Sequence, residues 1–158
     1  MSVDTNINTN INVKNLTELT IEERREINEL ILSNFKKSRL NTYENIYYYN
    51  DNTNNKNKII GVVGVYFINK YLSLNQLCID KDYRKKGLAT SLLSYIIDEY
   101  KNSSIILYID KNKENTEYLY NFYLRRGFKE ISYLKTFNLT YERDKEILMI
   151  LENTAFIS

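Results

Sequence analysis

The stretch "DYRKKGLATSLL", residues 82–93, joins a basic turn and a glycine to the start of an apolar pattern. From Leu88, leucine and isoleucine recur at helical spacing to about Lys101. The first backbone N–H groups of a helix lack partners within it and, with the helix dipole, attract anions. The stretch therefore indicates either an anion site or a solvated turn before an ordinary amphipathic helix.

The composition predicts one globular domain. The chain has 158 residues, of which 43% are hydrophobic and 13% aromatic, which is enough for a substantial core. Its net charge of +2 is too small to indicate a protein that binds nucleic acids or membrane surfaces. Any anion site must therefore be local. The Asn-rich residues 1–15 predict a flexible leader, followed by a single domain at 16–158.

The residue types limit the chemistry. With one cysteine and no histidine, an intrachain disulfide, a zinc cluster and a histidine-based triad are excluded. The longest apolar run, Ile59 to Ile68, is about half as long as the roughly 20 residues a spanning helix needs. We therefore expect a cytoplasmic protein without a membrane partner or a metal.

The predicted elements alternate between helices and strands. Thr20 caps a first helix that runs to Phe35, Asn115 or Thr116 caps a later one, and Gly127 ends it. Strands are predicted at 44–50, 58–70, 71–80, 104–110, 128–137 and 145–153. This order predicts an α/β (α+β) fold, with helices on both faces of a sheet.

The strand "YLSLNQLCID", residues 71–80, has an irregular apolar pattern. Leu72 and Leu74 occupy even positions, whereas Leu77 and Ile79 occupy odd ones. Because side chains alternate between faces, keeping both pairs on one face requires an extra residue near position 75 or 76, which is a β-bulge. Alternatively, the two pairs face opposite layers of a doubly covered sheet.

Two motifs and the order of elements resemble the GNAT superfamily of acyl-CoA-dependent N-acyltransferases over about residues 20 to 152. The segment "LCIDKDYRKKGLATSLL" resembles the family's acyl-CoA-binding signature, Arg/Gln-x-x-Gly-x-Gly/Ala, with Arg84, Gly87 and Ala89 in the fixed places. "FYLRRGFKE" resembles its Tyr-x-x-x-Gly-Phe helix end, with Tyr123, Gly127 and Phe128. Either motif alone is weak, but here they occur together and in the family's order.

The resemblance implies a GNAT-like fold, with a mixed and mostly antiparallel central sheet and a splayed, bulged strand. It also implies transfer of an acetyl group from acetyl-CoA to a primary amine by direct attack in a ternary complex. Backbone N–H groups of residues 85–90 would hold the pyrophosphate. The implied cofactor-binding residues are Leu77, Cys78, Ile79, Arg84, Lys85, Lys86, Gly87, Leu88, Ala89, Thr90, Asn115 and Tyr123.

Tyr123 matches the family's general acid, and the backbone at Leu77 and Ile79 would pair with the pantetheine arm and polarise the acyl carbonyl. Cys78, between them, is interpreted as a small buried hydrophobe rather than an acyl carrier. Lys81 stands where the family often has proline, which affects the rigidity of the turn.

Two departures from the family concern the chemistry. Ser73 stands where some members carry a glutamate base, and Thr116 where many carry an asparagine, with Asn115 one residue early. Asp110 and Glu44 are candidate bases acting through water. The general base therefore stays unassigned by the sequence.

The amine acceptor is expected to meet the basic connection Lys36 to Tyr43 and the loop "KTFNLTYERDKE", residues 135–146, with Phe137 and Tyr141 as aromatic walls. Nothing in these segments identifies the amine, and the chain is expected to be a monomer or homodimer.

Two other functions compete. The first is a non-catalytic acyl-CoA-binding or protein-interaction module, motivated by Ser73. The second is an RNA-binding domain, motivated by Lys85, Lys86, Arg125 and Arg126 beside tyrosines, which the near-neutral charge disfavours.

Overall fold

The structure is a computed structural model that describes residues 9–132 and 145–153. Its helices and strands, in chain order, are β1 Thr9–Asn15, α1 Ile21–Leu32, β2 Asn45–Asp51, β3 Lys58–Ile68, β4 Tyr71–Ile79, α2 Leu88–Glu99, β5 Ser104–Asp110, α3 Thr116–Leu124, β6 Lys129–Ile131 and β7 Glu146–Leu151. The strands form one sheet in the order β1-β2-β3-β4-β5-β7-β6.

The sheet is mixed and mostly antiparallel, as the resemblance implied. β1 with β2, β2 with β3, β5 with β7, and β6 with β7 pair antiparallel. β4 and β5 pair in parallel over three residues, Tyr71–Ser73 with Ser104–Ile106, although β4 has nine residues. So short a paired segment is what a splayed strand requires.

The described residues divide into two compact units. The first comprises residues 9–67 and 74–99, and the second comprises 68–73 together with 100–132 and 145–153. β4 contributes residues to both. None of the helices in the described part of the chain is long and apolar enough to cross a membrane.

In the first unit, helices cover both faces of β2. Ile46 and Tyr48 share a buried cluster with Ile27 and Ile31 of α1. The ring of Tyr47, which alternation directs to the opposite face, lies 5.9 Å from the ring of Tyr95 in α2. The predicted placement of helices on both faces is therefore confirmed in this unit.

Residues 9–15 form a strand, whereas the sequence predicted them to be part of a flexible leader. β1 pairs with β2 from Thr9 opposite Asp51 to Asn15 opposite Asn45. The Lys14 ammonium lies 3.0 Å from the Glu23 carboxylate of α1. The leader interpretation is therefore wrong for these residues, because backbone pairing and one ion pair compensate for their low apolar content. Residues 1–8 lie outside the described part.

Glu23 joins three elements through its carboxylate. It accepts hydrogen bonds from the Thr20 backbone N–H at 2.9 Å, which completes a capping box, and from the Tyr48 hydroxyl at 2.7 Å. Burial alone would raise the pKa of Glu23, but these two bonds and Lys14 lower it to about 2. The ionised carboxylate thus holds β1, α1 and β2 together.

We expect the stability of the protein to fall as the pH drops from about 5 toward 2. Because the folded pKa of Glu23 lies below its ordinary value of 4.5, its contribution is complete above the unfolded pKa and is lost as the folded group protonates. With solvent screening this contribution is on the order of 1 kcal/mol. Urea unfolding at several pH values measures this. Glu23→Gln keeps the capping box geometry and should flatten the dependence, and an unchanged pH slope in that variant would contradict the assignment.

In the second unit, the antiparallel pair β5 and β7 forms the centre. Ile106, Leu148 and Ile150 make a buried cluster, against which Ile68 and Ile131 pack. α3 contacts β5 and ends at Leu124. Gly127 follows the helix end, and its φ of 95° lies in the left-handed region that glycine favours. The predicted helix end is confirmed.

Candidate functional site

The turn between β4 and α2 has an unusual backbone. The Asp80 side chain accepts a hydrogen bond from the Asp82 backbone N–H at 2.9 Å and begins a single 3₁₀ turn, Lys81–Tyr83. Lys85 and Gly87 then take left-handed conformations, with φ values of 65° and 79°. α2 begins immediately afterwards at Leu88. Alternating left- and right-handed residues before a helix bring successive backbone N–H groups together, which is how many proteins build a concave anion site.

The space above Gly87 is open. A Cβ placed on Gly87 would meet no heavy atom within 4 Å, whereas one on Gly64 would lie 2.1 Å from the Tyr43 ring. Gly64 is therefore needed for internal packing, but Gly87 is needed for its backbone conformation and leaves room for something outside the protein.

Tyr83 and Asp51 anchor the turn to β2. The Tyr83 hydroxyl donates to the Asp51 carboxylate at 2.6 Å, and the Thr53 backbone N–H donates to its other oxygen at 2.8 Å. The bond to Asp51 raises the pKa of Tyr83 to about 12 and lowers the pKa of Asp51. The Lys58 ammonium lies 3.3 Å from the Asp80 carboxylate. The turn is thus held in place before any ligand arrives.

Sequence reasoning missed these anchors. Asp51 is only 3% exposed. In the sequence, however, it stands at the start of an Asn-rich turn, a pattern that does not predict a buried carboxylate. Tyr83 is one of fifteen tyrosines. A carboxylate directly after a run of buried strand residues was the one available signal.

The cations of the turn have different surroundings. The Arg84 guanidinium donates to the Ile79 carbonyl at 3.1 Å and to the Asn34 side chain at 2.6 Å. Its side chain therefore ties the end of β4 to the residues after α1 and leaves any ligand contact to its backbone. Lys85 is exposed, and Lys86 is half-buried.

The end of β4 carries the irregularity that the sequence predicted. Gln76 has a φ of 53° within the strand, which confirms a break in the alternation at that position. Leu77 is half-buried, and Cys78 and Ile79 are each 6% exposed. Burial raises the pKa of the Cys78 thiol to about 12, and Cys78 packs in the apolar cluster beneath α1, as expected of a small hydrophobe.

In the second unit, the helix end "YLRRGF" fixes Tyr123. The Phe128 backbone N–H donates to the Tyr123 carbonyl at 3.1 Å, a bond that the left-handed Gly127 permits. The Phe128 ring then meets the Tyr123 ring edge to face at 5.5 Å. Tyr123 is 6% exposed. The motif thus fixes the position of Tyr123.

The neighbouring arginine has a structural contact. The Arg126 guanidinium donates to the Phe122 carbonyl at 2.8 Å and lies 3.9 Å from the centre of the Phe122 ring. Because the Arg126 guanidinium contacts Phe122 within the protein, the RNA-binding alternative is weakened. That alternative required Arg126 to contribute to a basic surface.

The other candidates in the second unit lie around the start of α3. Asn115 occupies the N-cap position, but its side chain makes no capping bond. The Thr116 hydroxyl instead donates to the Asp110 carbonyl at 2.6 Å. Thr116 therefore fixes the chain, while Asn115 is exposed.

The candidate bases are not distinguished by their surroundings. Ser73 is fully buried, so its position supplies no acid–base group. Glu44 accepts from the Phe67 backbone N–H at 3.2 Å, and Asp110 accepts from the Asn112 backbone N–H at 2.8 Å. Phe137 and Tyr141, in the predicted second acceptor loop, lie outside the described residues. Among residues 9–132 and 145–153, no three acidic or cysteine side chains are grouped as metal ligands.

The sequence matches one family model. The acetyltransferase (GNAT) family matches residues 13–128. This range includes the turn at Gly87 and all three fixed residues of the helix-end motif, Tyr123, Gly127 and Phe128. No curated protein matches the chain in sequence.

Solved structures share the fold. An acetyltransferase of the GNAT family from Staphylococcus aureus is 21% identical, with a TM-score of 0.66 over 89% of this chain and 98% of that one. An acyl-CoA N-acyltransferase from Pseudomonas aeruginosa is 12% identical, with a TM-score of 0.69 over 92% and 100%. Naa50 from Arabidopsis thaliana, in complex with the bisubstrate analogue CoA-Ac-MVNAL, is 13% identical, with a TM-score of 0.64 over 89% and 97%.

Proposed function

The chain belongs to the acetyltransferase (GNAT) family, and from this premise we propose that it moves an acetyl group from acetyl-CoA to a primary amine. The observation that supports this best is the turn before α2, where two left-handed residues, Lys85 and Gly87, precede the helix and the space above Gly87 is open. The chain from β1 onward would act as one acetyltransferase domain.

The turn suits the pyrophosphate of coenzyme A. This group carries two negative charges and needs several donors from one side, which the backbone N–H groups of residues 85–90 supply at the helix N-terminus. Lys85, which is exposed, adds attraction that salt screens. Because Tyr83 and Asp51 fix the turn beforehand, little ordering entropy is lost on binding.

In the proposed reaction, the neutral amine attacks the thioester carbonyl in a ternary complex. The C–N bond forms, the C–S bond breaks, and the leaving thiolate takes a proton from Tyr123, which matches the family's general acid. The attacking nitrogen gives up one proton to water, and water returns a proton to Tyr123. Backbone N–H groups at Leu77 and Ile79 polarise the acyl carbonyl. The amine must first lose its own proton, because a lysine-like amine has a pKa of about 10.4.

The acceptor is proposed to meet the segment 36–43 and the loop 135–146. Naa50 was solved with an analogue that joins CoA to the sequence MVNAL, and another structure of this fold is an aminoglycoside 6'-N-acetyltransferase complexed with coenzyme A, 15% identical. Peptides and small amines are therefore the two classes to test.

A second function is favoured by one observation. Ser73 is fully buried where some family members carry a glutamate base, so the chain could bind acyl-CoA without catalysis. This module would keep the turn at Gly87 and show no turnover with any amine.

Calorimetry with acetyl-CoA, followed by thiol-release assays over peptide and small-molecule amines, tests both functions. We expect saturable binding with a Kd at or below about 100 μM, within the usual range for enzyme substrates, and thiol release that depends on an amine. No binding at that concentration would overturn both functions. Binding without release for every amine would select the non-catalytic module.

A further inference from the structure

One glutamine connects the irregular strand β4 to the basic segment 36–43. The Gln76 side-chain oxygen accepts a hydrogen bond from the Arg39 backbone N–H at 3.0 Å and another from the Tyr43 hydroxyl. Its side-chain nitrogen donates to the Lys37 carbonyl at 2.8 Å. A single side chain therefore uses both its donor and its acceptor atoms on one distant segment.

The left-handed backbone of Gln76 is part of this arrangement. A non-glycine residue with a φ of 53° inside a strand is uncommon and is retained only where surrounding contacts support it. The three bonds to segment 36–43 are such contacts. Gln76 thus contributes to two features: its left-handed backbone interrupts β4, and its side chain holds segment 36–43.

Tyr43 is a fixed end for the segment. It is 4% exposed, its ring fills the space left by Gly64, and it stacks on Tyr66 at 6.4 Å. Burial raises the pKa of its hydroxyl, which therefore stays protonated and donates to Gln76 at any physiological pH.

The middle of the segment is held from two sides. The Ser38 hydroxyl donates to the Asn28 side chain of α1 at 2.5 Å, while the residues on either side of Ser38 bond to Gln76. The side chains of Lys36, Lys37 and Arg39 are nevertheless exposed. The result is a fixed backbone from which three cations project.

We propose that Gln76 is a positioning residue that holds the segment 36–43 in the conformation in which it binds the amine acceptor. The proposal rests on the proposed acetyl transfer, because only that function gives the segment an acceptor to bind. Gln76 touches neither reacting group in this role. It acts through the backbone of Lys37 and Arg39 and through Tyr43.

Trypsin provides a test of the holding role that needs no activity. Trypsin cleaves after Lys37 and Arg39, the two residues whose backbone atoms bond to Gln76. Gln76→Gly removes the side chain while accepting the left-handed backbone. We expect cleavage after these residues to accelerate by about tenfold or more, since several hydrogen bonds no longer oppose local opening. Mass spectrometry of the fragments locates the cuts.

A matched control separates side chain from backbone. Asn55 is also left-handed, with a φ of 61°, and lies in the same unit away from the segment, so Asn55→Gly should leave the cleavage rate unchanged. Gln76→Glu keeps an oxygen for Arg39 and Tyr43 but loses the donor to Lys37, and should give an intermediate rate. It also carries the test if Gln76→Gly fails to fold.

Steady-state kinetics test the positioning role. Gln76→Glu and Gln76→Gly should raise the KM for the amine by about tenfold or more while kcat changes less and the Kd for acetyl-CoA stays within about twofold. Equal cleavage in Gln76→Gly and Asn55→Gly would overturn the proposal, as would faster cleavage with an unchanged KM. If the wild type turns over no amine, the proposed function fails and the acceptor role fails with it, while the cleavage rates still decide whether Gln76 holds the segment.

Discussion

Gly87→Glu is expected to raise the Kd for acetyl-CoA by about 100-fold or more, because it places a carboxylate and a left-handed strain at the site of the pyrophosphate. The φ of Gly87 is 79°, and the space beyond its Cα is open. A Cβ at this position meets no heavy atom of the protein within 4 Å, so the effect beyond the backbone strain should fall on whatever occupies that space. Calorimetry measures the change.

Gly87→Ala is the matched control. It introduces the same backbone strain without the charge or the length, and we expect a loss of no more than about tenfold. Lys85→Ala should act differently, with a loss that shrinks as salt is added. Equal and small effects from Gly87→Glu and Lys85→Ala would contradict a binding site built from backbone amides.

Much of the fold could be predicted from signals that lie close in sequence to the elements they specify. α1 was predicted because Thr20 suits an N-cap, acidic residues follow in the first turn, and apolar residues then share one face. The end of α3 was predicted because Gly127 follows it. The irregularity in β4 was predicted because a change of phase between Leu74 and Leu77 is visible in the residue pattern alone. Each of these signals lies within one turn or one strand of its effect.

Features that depend on residues far apart in sequence could not be predicted. β1 is stabilised by its pairing with β2 and by the bond between Lys14 and Glu23, and neither is visible in an Asn-rich stretch. Gln76 and Tyr43 are 33 residues apart, and Tyr83 and Asp51 are 32 apart. The sequence located the turn proposed to bind the cofactor. For the side chains that hold that turn and segment 36–43 in place, it contained only one local signal, the carboxylate of Asp51 at the end of β2.

Tyr123→Phe is expected to lower kcat by about 10²- to 10⁴-fold, the usual contribution of a positioned general acid, while the Kd for acetyl-CoA stays within about twofold. The substitution removes only the hydroxyl. The ring keeps its edge-to-face contacts with Phe122 and Phe128, at 5.1 and 5.5 Å between centres, so the packing of the helix end should be retained.

Tyr120→Phe is a control on the same helix. Its hydroxyl donates to Glu130 at 3.2 Å and has no proposed part in the reaction, so turnover should be unchanged. If Tyr123→Phe also leaves kcat unchanged, Tyr123 has no part in the mechanism and the leaving thiolate must be protonated by another group or by water. A loss in kcat alone would instead separate an enzyme from the non-catalytic module, because a protein that only binds acyl-CoA has no step for this hydroxyl to accelerate.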